Sequence, residues 1–382
     1  MKFSVETNVL RKAIRVVEQA TTPDYANFQP LAEGVEFHIE NQTLELITSD
    51  GFKSAYTSNI PITGEGSTRF VIPIQPLQKL VNNSKSDKIS FNAQANILTL
   101  YGKGVLKTSY IVSPSDSITD QIITSCTTIP EDAEAFETNK NTFLENLESV
   151  IKFAAPKKGA RDIYKGFFIF DKTIFCTSGS HALQVATDLD TQIVNAIPVD
   201  TKKMVEALQG EEIIVAVDNS RIYFVDENSI LTQTLSSNPA QLEGIFKKIL
   251  DWRTSKKEEV TSFTLDLEPL LNIVKLIHKF SANDILNIVF LNDEAVISTD
   301  NVFDHADETE YSESLDCKYK FLEGETIRIN LSNLVPFLTH LESEDSPDVC
   351  FYIQTNDDKK LVGPVMSFSE DYFFFSSIVS AK

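Results

Sequence analysis

The chain has 382 residues, 42% hydrophobic and 23% charged, with 34 Lys and Arg against 55 Asp and Glu, a formal net charge of −21. At roughly 100–200 residues per domain, this length suggests two to four domains, each large enough to bury its own core. The acidic balance excludes an ordinary DNA-binding protein with a basic exterior, so any nucleic-acid role must confine its positive charge to a local surface.

The first predicted element is Phe3-SVETNV-Leu10-RKA-Ile14-RV-Val17, a short strand followed by an amphipathic helix. VEFHIENQTLELITSD then alternates apolar and polar residues around Asn41-Gln42, the pattern of a hairpin. FVIPIQPLQKLV joins a strand to a second helix, and KISFNAQANILTLYGKGVLKTSYIV returns to strands, with turns near Ala93-Gln94 and Lys103-Gly104. Ser115–Glu134, rich in Ser, Thr and acidic residues, reads as a linker.

The series then recurs. Phe136-ETNKNT-Phe143-LEN-Leu147-ES-Val150 and Phe263-TLDLEP-Leu270-LNI-Val274-KL-Ile277 repeat the opening segment, with apolar residues at the same offsets from the leading Phe. Thr7, Thr142 and Asp266 are the helix-start signals. IVNAIPVDTKKMVEAL and IRINLSNLVPFLTHL repeat the second strand-helix element. GFFIFDKTIFCTS, EEIIVAVDNSRIYFVDENSILTQTL, ILNIVFLNDEAVIST and VCFYIQTNDDKKLVGPVMSFSEDYFFFSSIV supply the hairpins, and Asp251–Thr261 is a second, charged linker. The same unit is written three times, which predicts an α+β protein of three like domains, 1–122, 123–253 and 254–382.

Sequence motifs for catalysis are missing. Ser178, Ser180, His181 and Asp188 invite a hydrolase reading, but there is no GxSxG elbow. Neither a P-loop nor a GxGxxG fingerprint occurs, and the acidic run from Asp304 to Glu310 lacks the glycine and spacing of a calcium loop. Cys126, Cys176, Cys317 and Cys350 lie far apart without CxxC spacing, which predicts reduced thiols rather than zinc or disulfides. No cofactor and no enzymatic activity are expected. No run of about 18 apolar residues occurs and the opening MKFSVETNVLRKAI is charged, so neither a membrane span nor a signal segment is expected, and the location is cytoplasmic.

In the order of its segments the chain resembles the bacterial DNA polymerase III β subunit, the sliding clamp. MKFSVETNVLRKAIRVVEQA, LAEGVEFHIENQTLELITSDG, FVIPIQPLQKLV, IPVDTKKMVEAL and ILTQTLSSNPAQLEGIFKKIL carry the resemblance, which spans essentially the whole chain. It implies three clamp domains per chain, with antiparallel sheets outside and two helices inside. Two chains pair head to tail into a closed ring around double-stranded DNA. The implied function is that of a processivity factor, bound by the replicative polymerase and the clamp loader through short linear motifs. The alternative is a clamp-fold interaction scaffold of phage or mobile-element type, without full tethering.

A ring of this kind needs its helices to be more basic than the rest of the chain. The candidates are Arg11, Lys12, Arg15, Lys79, Lys152, Lys157, Lys158, Arg161, Lys202, Lys203, Lys275 and Lys279, with Lys85 and Lys88 just beyond the second helix. A solvated helix face is the competing reading. The resemblance implies a partner-peptide groove at Ser178, His181, Leu183, Lys248, Ile249, Ser377, Ile378 and Val379. It implies dimer contacts at Leu106 and Phe280. His181 as a turn histidine, Leu183 and Ile249 as plain core, and Leu106 and Phe280 as internal packing are the alternatives. The groove departs from the family pattern: Ser180-His181-Ala182-Leu183 stands for Gly-His-Arg-Leu, and the chain ends SSIVSAK rather than in a Met-Pro-Met-like segment. Asp24 stands near the place of a basic DNA contact, so that contact is expected to be absent.

Overall fold

The structure, a computed structural model, describes all residues except 22–33, 95–96, 103, 110, 113–123, 126, 156–163, 171, 190–191, 236–259, 282, 300–310, 321, 356–360 and 380–382. Of the predicted linker Ser115–Glu134, residues 124–125 and 127–134 are described, and of Asp251–Thr261 only Val260 and Thr261.

The elements follow one order three times. The first series is β1 (Lys2–Glu6), α1 (Thr7–Val17), β2 (Gly34–Glu40), β3 (Thr43–Ser49), β4 (Lys53–Gly64), β5 (Thr68–Pro73), α2 (Ile74–Asn83), β6 (Lys88–Gln94), β7 (Ile97–Tyr101), β8 (Val105–Ser109) and a short β9 (Ile111–Val112). The second is β10 (Glu134–Asn139), α3 (Lys140–Ile151), β11 (Gly166–Phe170), β12 (Thr173–Thr177), β13 (His181–Ala186), β14 (Gln192–Pro198), α4 (Thr201–Ala207), β15 (Glu212–Val217), β16 (Arg221–Val225) and β17 (Ser229–Thr234). The third is β18 (Val260–Asp266), α5 (Leu267–Phe280), β19 (Ile285–Leu291), β20 (Glu294–Thr299), β21 (Tyr311–Asp316), a short β22 (Lys318–Tyr319), β23 (Thr326–Asn330), α6 (Leu331–Ser343), β24 (Asp348–Thr355), β25 (Leu361–Phe368) and β26 (Tyr372–Ser376).

By contacts the chain forms two compact units, Met1–Leu144 with Asp200–Ser236, and Glu145–Val199 with Ser237–Lys382. In the first unit one antiparallel sheet runs β10-β15-β16-β17-β4-β1-β6-β7-β8, with β2, β3, β5 and β9 branching from it. The pairing of β17 with β4 carries the sheet from the second series into the first. In the second unit the order is β14-β11-β12-β13-β26-β25-β24-β18-β22, and β13 pairs with β26 in the corresponding way. A separate sheet of four strands runs β21-β20-β19-β23.

The apolar spacing read from the sequence is the burial pattern of the helices. Leu10, Ile14 and Val17, then Phe143, Leu147 and Val150, then Leu270, Val274 and Ile277 are all buried. Each stabilises the helix's seat on its sheet by about 1.5–3 kcal/mol. The leading Phe3 stacks on Phe91 at 4.6 Å and Phe263 stacks on Phe351 at 5.0 Å, whereas Phe136 is only half-buried. Asn41 and Gln42, and likewise Asn292 and Asp293, take positive φ, the two-residue turn that matches strand twist. The helix starts differ in part from expectation. Thr7 lies inside the first turn of α1, with its hydroxyl donated to Ser86 O, and Asn139 rather than Thr142 caps α3 through its Oδ1. Asn139 has the better geometry for the role, because its side chain reaches the free N–H groups of Asn141 and Thr142.

Candidate functional site

Basic residues are unevenly spread over the six α-helices of the described residues. The exposed face of α1 carries Asn8, Lys12 and Arg15, and that of α2 carries Gln75, Lys79, Asn82 and Asn83; neither helix contains an Asp or Glu. The two helices pack together in the first unit. Arg11 is engaged elsewhere. It donates to Asn8 Oδ1 at 2.7 Å and to the carbonyls of Val81 and Ser84 at 3.1 and 3.2 Å, closing the C-terminal end of α2.

The later helices are mixed. On α3 the exposed charges are Glu145 and Glu148, with Lys152 following just beyond the helix. On α4, Lys203 is exposed while Lys202 pairs with Glu206 at 3.3 Å. On α5, Lys279 is exposed and Lys275 pairs with Glu342 of α6 at 2.9 Å. α6 has no Lys or Arg. Lys157, Lys158 and Arg161 lie outside the described residues, as does Asp24.

The groove candidates come together in the second unit, around the turn between β12 and β13. His181 O accepts from Ser178 N at 3.1 Å and from Thr177 Oγ1 at 2.8 Å, and Gly179 takes φ +92° between them. The His181 ring sets Nδ1 2.9 Å from Ser178 Oγ and 3.1 Å from Ser180 Oγ, and meets Phe153 edge-on at 5.7 Å. Burial holds the imidazole neutral, with its pKa pushed down to about 4. The C-terminal segment lies alongside. Ser377 donates from N and from Oγ to Ser180 O, each at 2.9 Å, and Val379 N donates to Arg328 O at 3.0 Å. Ser377 is exposed, and Ile378 and Val379 are half-buried. Leu183 differs from this set: it is fully buried, paired across the sheet with Phe374, and works as core. Lys248 and Ile249 lie outside the described residues.

The dimer candidates sit at sheet ends. Leu106 is on β8, the last strand of its sheet, paired only on the β7 side at Leu100. Phe280 ends α5 and meets Tyr311 of β21 edge-on at 5.5 Å. β21 is the end strand of the four-stranded sheet. Leu276, one turn before Phe280, is 43% exposed. Sequence patterning missed Leu276 and Tyr311, because one exposed apolar residue on an amphipathic helix leaves no periodic signal.

No family model matches this sequence, and no curated protein matches it. Solved structures do. The β subunit of DNA polymerase III from Thermotoga maritima matches over 100% of both chains with a TM-score of 0.74 at 15% identity. That from Pseudomonas aeruginosa matches over the same span at 0.75 and 14%, and the DNA polymerase sliding clamp from Bacillus subtilis at 0.76 and 13%. This chain has the sliding-clamp fold. The fold implied by the resemblance is therefore the fold observed, in a chain whose sequence has diverged to about one residue in seven in common. In this clamp fold, no described helix is long and apolar enough to cross a membrane, and no cluster of metal-binding side chains occurs among the described residues. Cys176 and Cys317 are buried free thiols, and burial pushes the pKa of both upward.

Proposed function

We propose that this chain is a DNA polymerase processivity factor, a cytoplasmic clamp without catalytic activity, built of domains 1–122, 123–253 and 254–382. The observation that carries the reading is the clamp fold over the full length of the chain, with the acid-free cationic faces of α1 and α2 in an otherwise acidic protein. Lys12, Arg15 and Lys79 make sequence-independent contacts to duplex phosphates, with a smaller share from Lys152, Lys203 and Lys279. Lys202 and Lys275 contribute less, because each already pairs with a carboxylate. Weak contacts suffice for a closed ring, since topology holds it on DNA, and the acidic remainder discourages binding anywhere else.

Closure pairs β8 of one protomer with β21 of its partner, which removes two exposed sheet edges, with Leu106, Leu276, Phe280 and Tyr311 at the seam. The groove near Ser178, His181 and Ser377–Val379 receives short motifs of polymerase and loader. Lys248 and Ile249, which the resemblance assigns to the same groove, lie outside the described residues. Primer extension on a circular primed template, with polymerase and clamp loader, tests the proposal. Longer products per binding event are expected when the protein is added, and unchanged product length contradicts it.

A second reading, the non-tethering scaffold, is favoured by one observation: α6 has no Lys or Arg, and Lys275 of α5 pairs with Glu342. In that case the protein binds partner peptides, while K12E/R15E/K79E changes no DNA-dependent property.

A further inference from the structure

The three repeats flank their opening strand differently. β1 pairs with β6 on one side and with β4 on the other, and β18 pairs with β24 and β22. β10 pairs with β15 alone among the described residues and ends its sheet. The difference lies in the neighbouring strand. β4 has 12 residues, and its second half sets Thr63 against Ser4. β13 holds the place of β4 in the second repeat, has 6 residues and stops at Ala186. The leading aromatic residues follow the same division: Phe3 and Phe263 are buried, whereas Phe136 is half-buried.

The second edge of β10 offers backbone groups to solvent. Lys140 N, at the end of the strand, donates to Glu211 O on the β15 side at 2.8 Å. Successive N–H groups of a strand point to opposite edges, so those of Ala135 and Glu137 point away from β15. Both residues are exposed. Glu137 matches Ser4 by the common offset from Phe136 and Phe3, and Ser4 is the residue that Thr63 faces in the first repeat. The edge is also of one charge. Glu131, Asp132, Glu134 and Glu137 are exposed, as are Glu211 and Glu212 at the end of β15 beside Asn139. No Lys or Arg occurs from Pro130 to Asn139 or in β15. The next cation in sequence, Lys140, donates Nζ to Leu208 O at 2.9 Å.

We propose that the free edge of β10 is a docking site for an extended segment of a partner protein in which Lys or Arg alternates with aliphatic residues. The segment adds a strand to the sheet, and its backbone pairs with the outward N–H and C=O groups of Ala135 and Glu137. Side chains alternate across a strand. The basic residues of the segment therefore fall beside Ala135 and Glu137 on one face, and the aliphatic ones beside Phe136 on the other. Charge selects the occupant. A second copy of β10 brings the same carboxylates and is repelled, and so is a nucleic-acid phosphate. The site goes beyond the clamp reading and stands without it, since neither DNA nor the groove around His181 takes part.

The test uses the full chain, deuterated and nitrogen-labelled for amide NMR, titrated with N-acetylated Lys-Val-Lys-Val-Lys amide. Salt at about 0.15 M screens the diffuse attraction of an acidic protein for any cation. Saturable shifts and slowed exchange are expected at the N–H groups of Ala135 and Glu137. The same peptide with its lysine backbone nitrogens methylated keeps its charge and loses its strand pairing, so it is expected to bind about tenfold more weakly. Ala135→Pro removes an outward N–H and leaves the ladder to β15, and is expected to abolish the Glu137 shift with the folded spectrum retained. E131K/D132K/E137K is expected to weaken the lysine peptide by about fivefold or more. The methylated peptide decides the matter if Ala135→Pro fails to fold. Equal affinity for the methylated peptide, undiminished binding to folded Ala135→Pro, undiminished binding to E131K/D132K/E137K, or unchanged exchange at Ala135 and Glu137 would each overturn the proposal. Protection of those two groups in the protein alone, lost on dilution, would assign the edge to a second copy and overturn it equally.

Discussion

Arg11 and His181 show how a side chain's partners decide its role. Arg11 is a channel candidate by its charge, and its guanidinium also closes the end of α2 through two carbonyls. Replacing it with Met keeps the aliphatic packing and removes those bonds, so Arg11→Met is expected to lower stability by about 1–2 kcal/mol in urea unfolding, with little effect on DNA-dependent properties. Asn139→Ala removes the cap of α3 and is expected to lower stability by about 1 kcal/mol in the same measurement. His181 makes a pH prediction. Its folded pKa is pushed down to about 4, whereas the unfolded ring takes its proton near 6.5. Between those values the unfolded state binds the extra proton, so stability falls as pH drops from about 6.5 to about 4. Urea midpoints across that window should decline more gently in His181→Asn than in the parent; parallel declines would show that the ring is not held neutral by the fold.

Two turns at the element scale are built alike from different residues. Asp50 N donates to Lys53 O as Ser178 N does to His181 O, each at 3.1 Å, and Gly51 and Gly179 take φ near +90°. Thr234 N donates to Phe52 O as Ser377 N donates to Ser180 O. The helices that precede these turns were legible in the sequence, because buried apolar residues every three or four positions write themselves into it. The matched turns were not, because Asp50 and Ser178 do the same capping with different side chains. Charge on α1 and α2 carries this scale's prediction: K12E/R15E/K79E should flatten the plot of log duplex affinity against log salt by up to about 3 units. K152E, just beyond α3 with its Glu145 and Glu148, and K203E, on the same helix as Glu206, should flatten it less.

For the whole molecule, the proposed ring joins β8 and β21, each the end strand of its sheet. If the ring closes there, Leu276→Asp with Phe280→Asp buries charge at the proposed seam, and sedimentation velocity at micromolar concentration is expected to show a dimer for the parent and a monomer for the variant. The sequence made the fold class legible across the chain, because three copies of one pattern reinforce each other. It left the assembly to inference, since a seam between chains draws on few residues and no periodicity. Topological retention tests the proposed encirclement of DNA directly. Labelled protein is loaded onto nicked circular DNA with a clamp loader, separated from free protein by gel filtration, and followed after the circle is cut once. Retention on the circle and release on linearisation are expected of a closed ring. Binding that is indifferent to the cut, or no retention on the circle at any loader concentration, would contradict it.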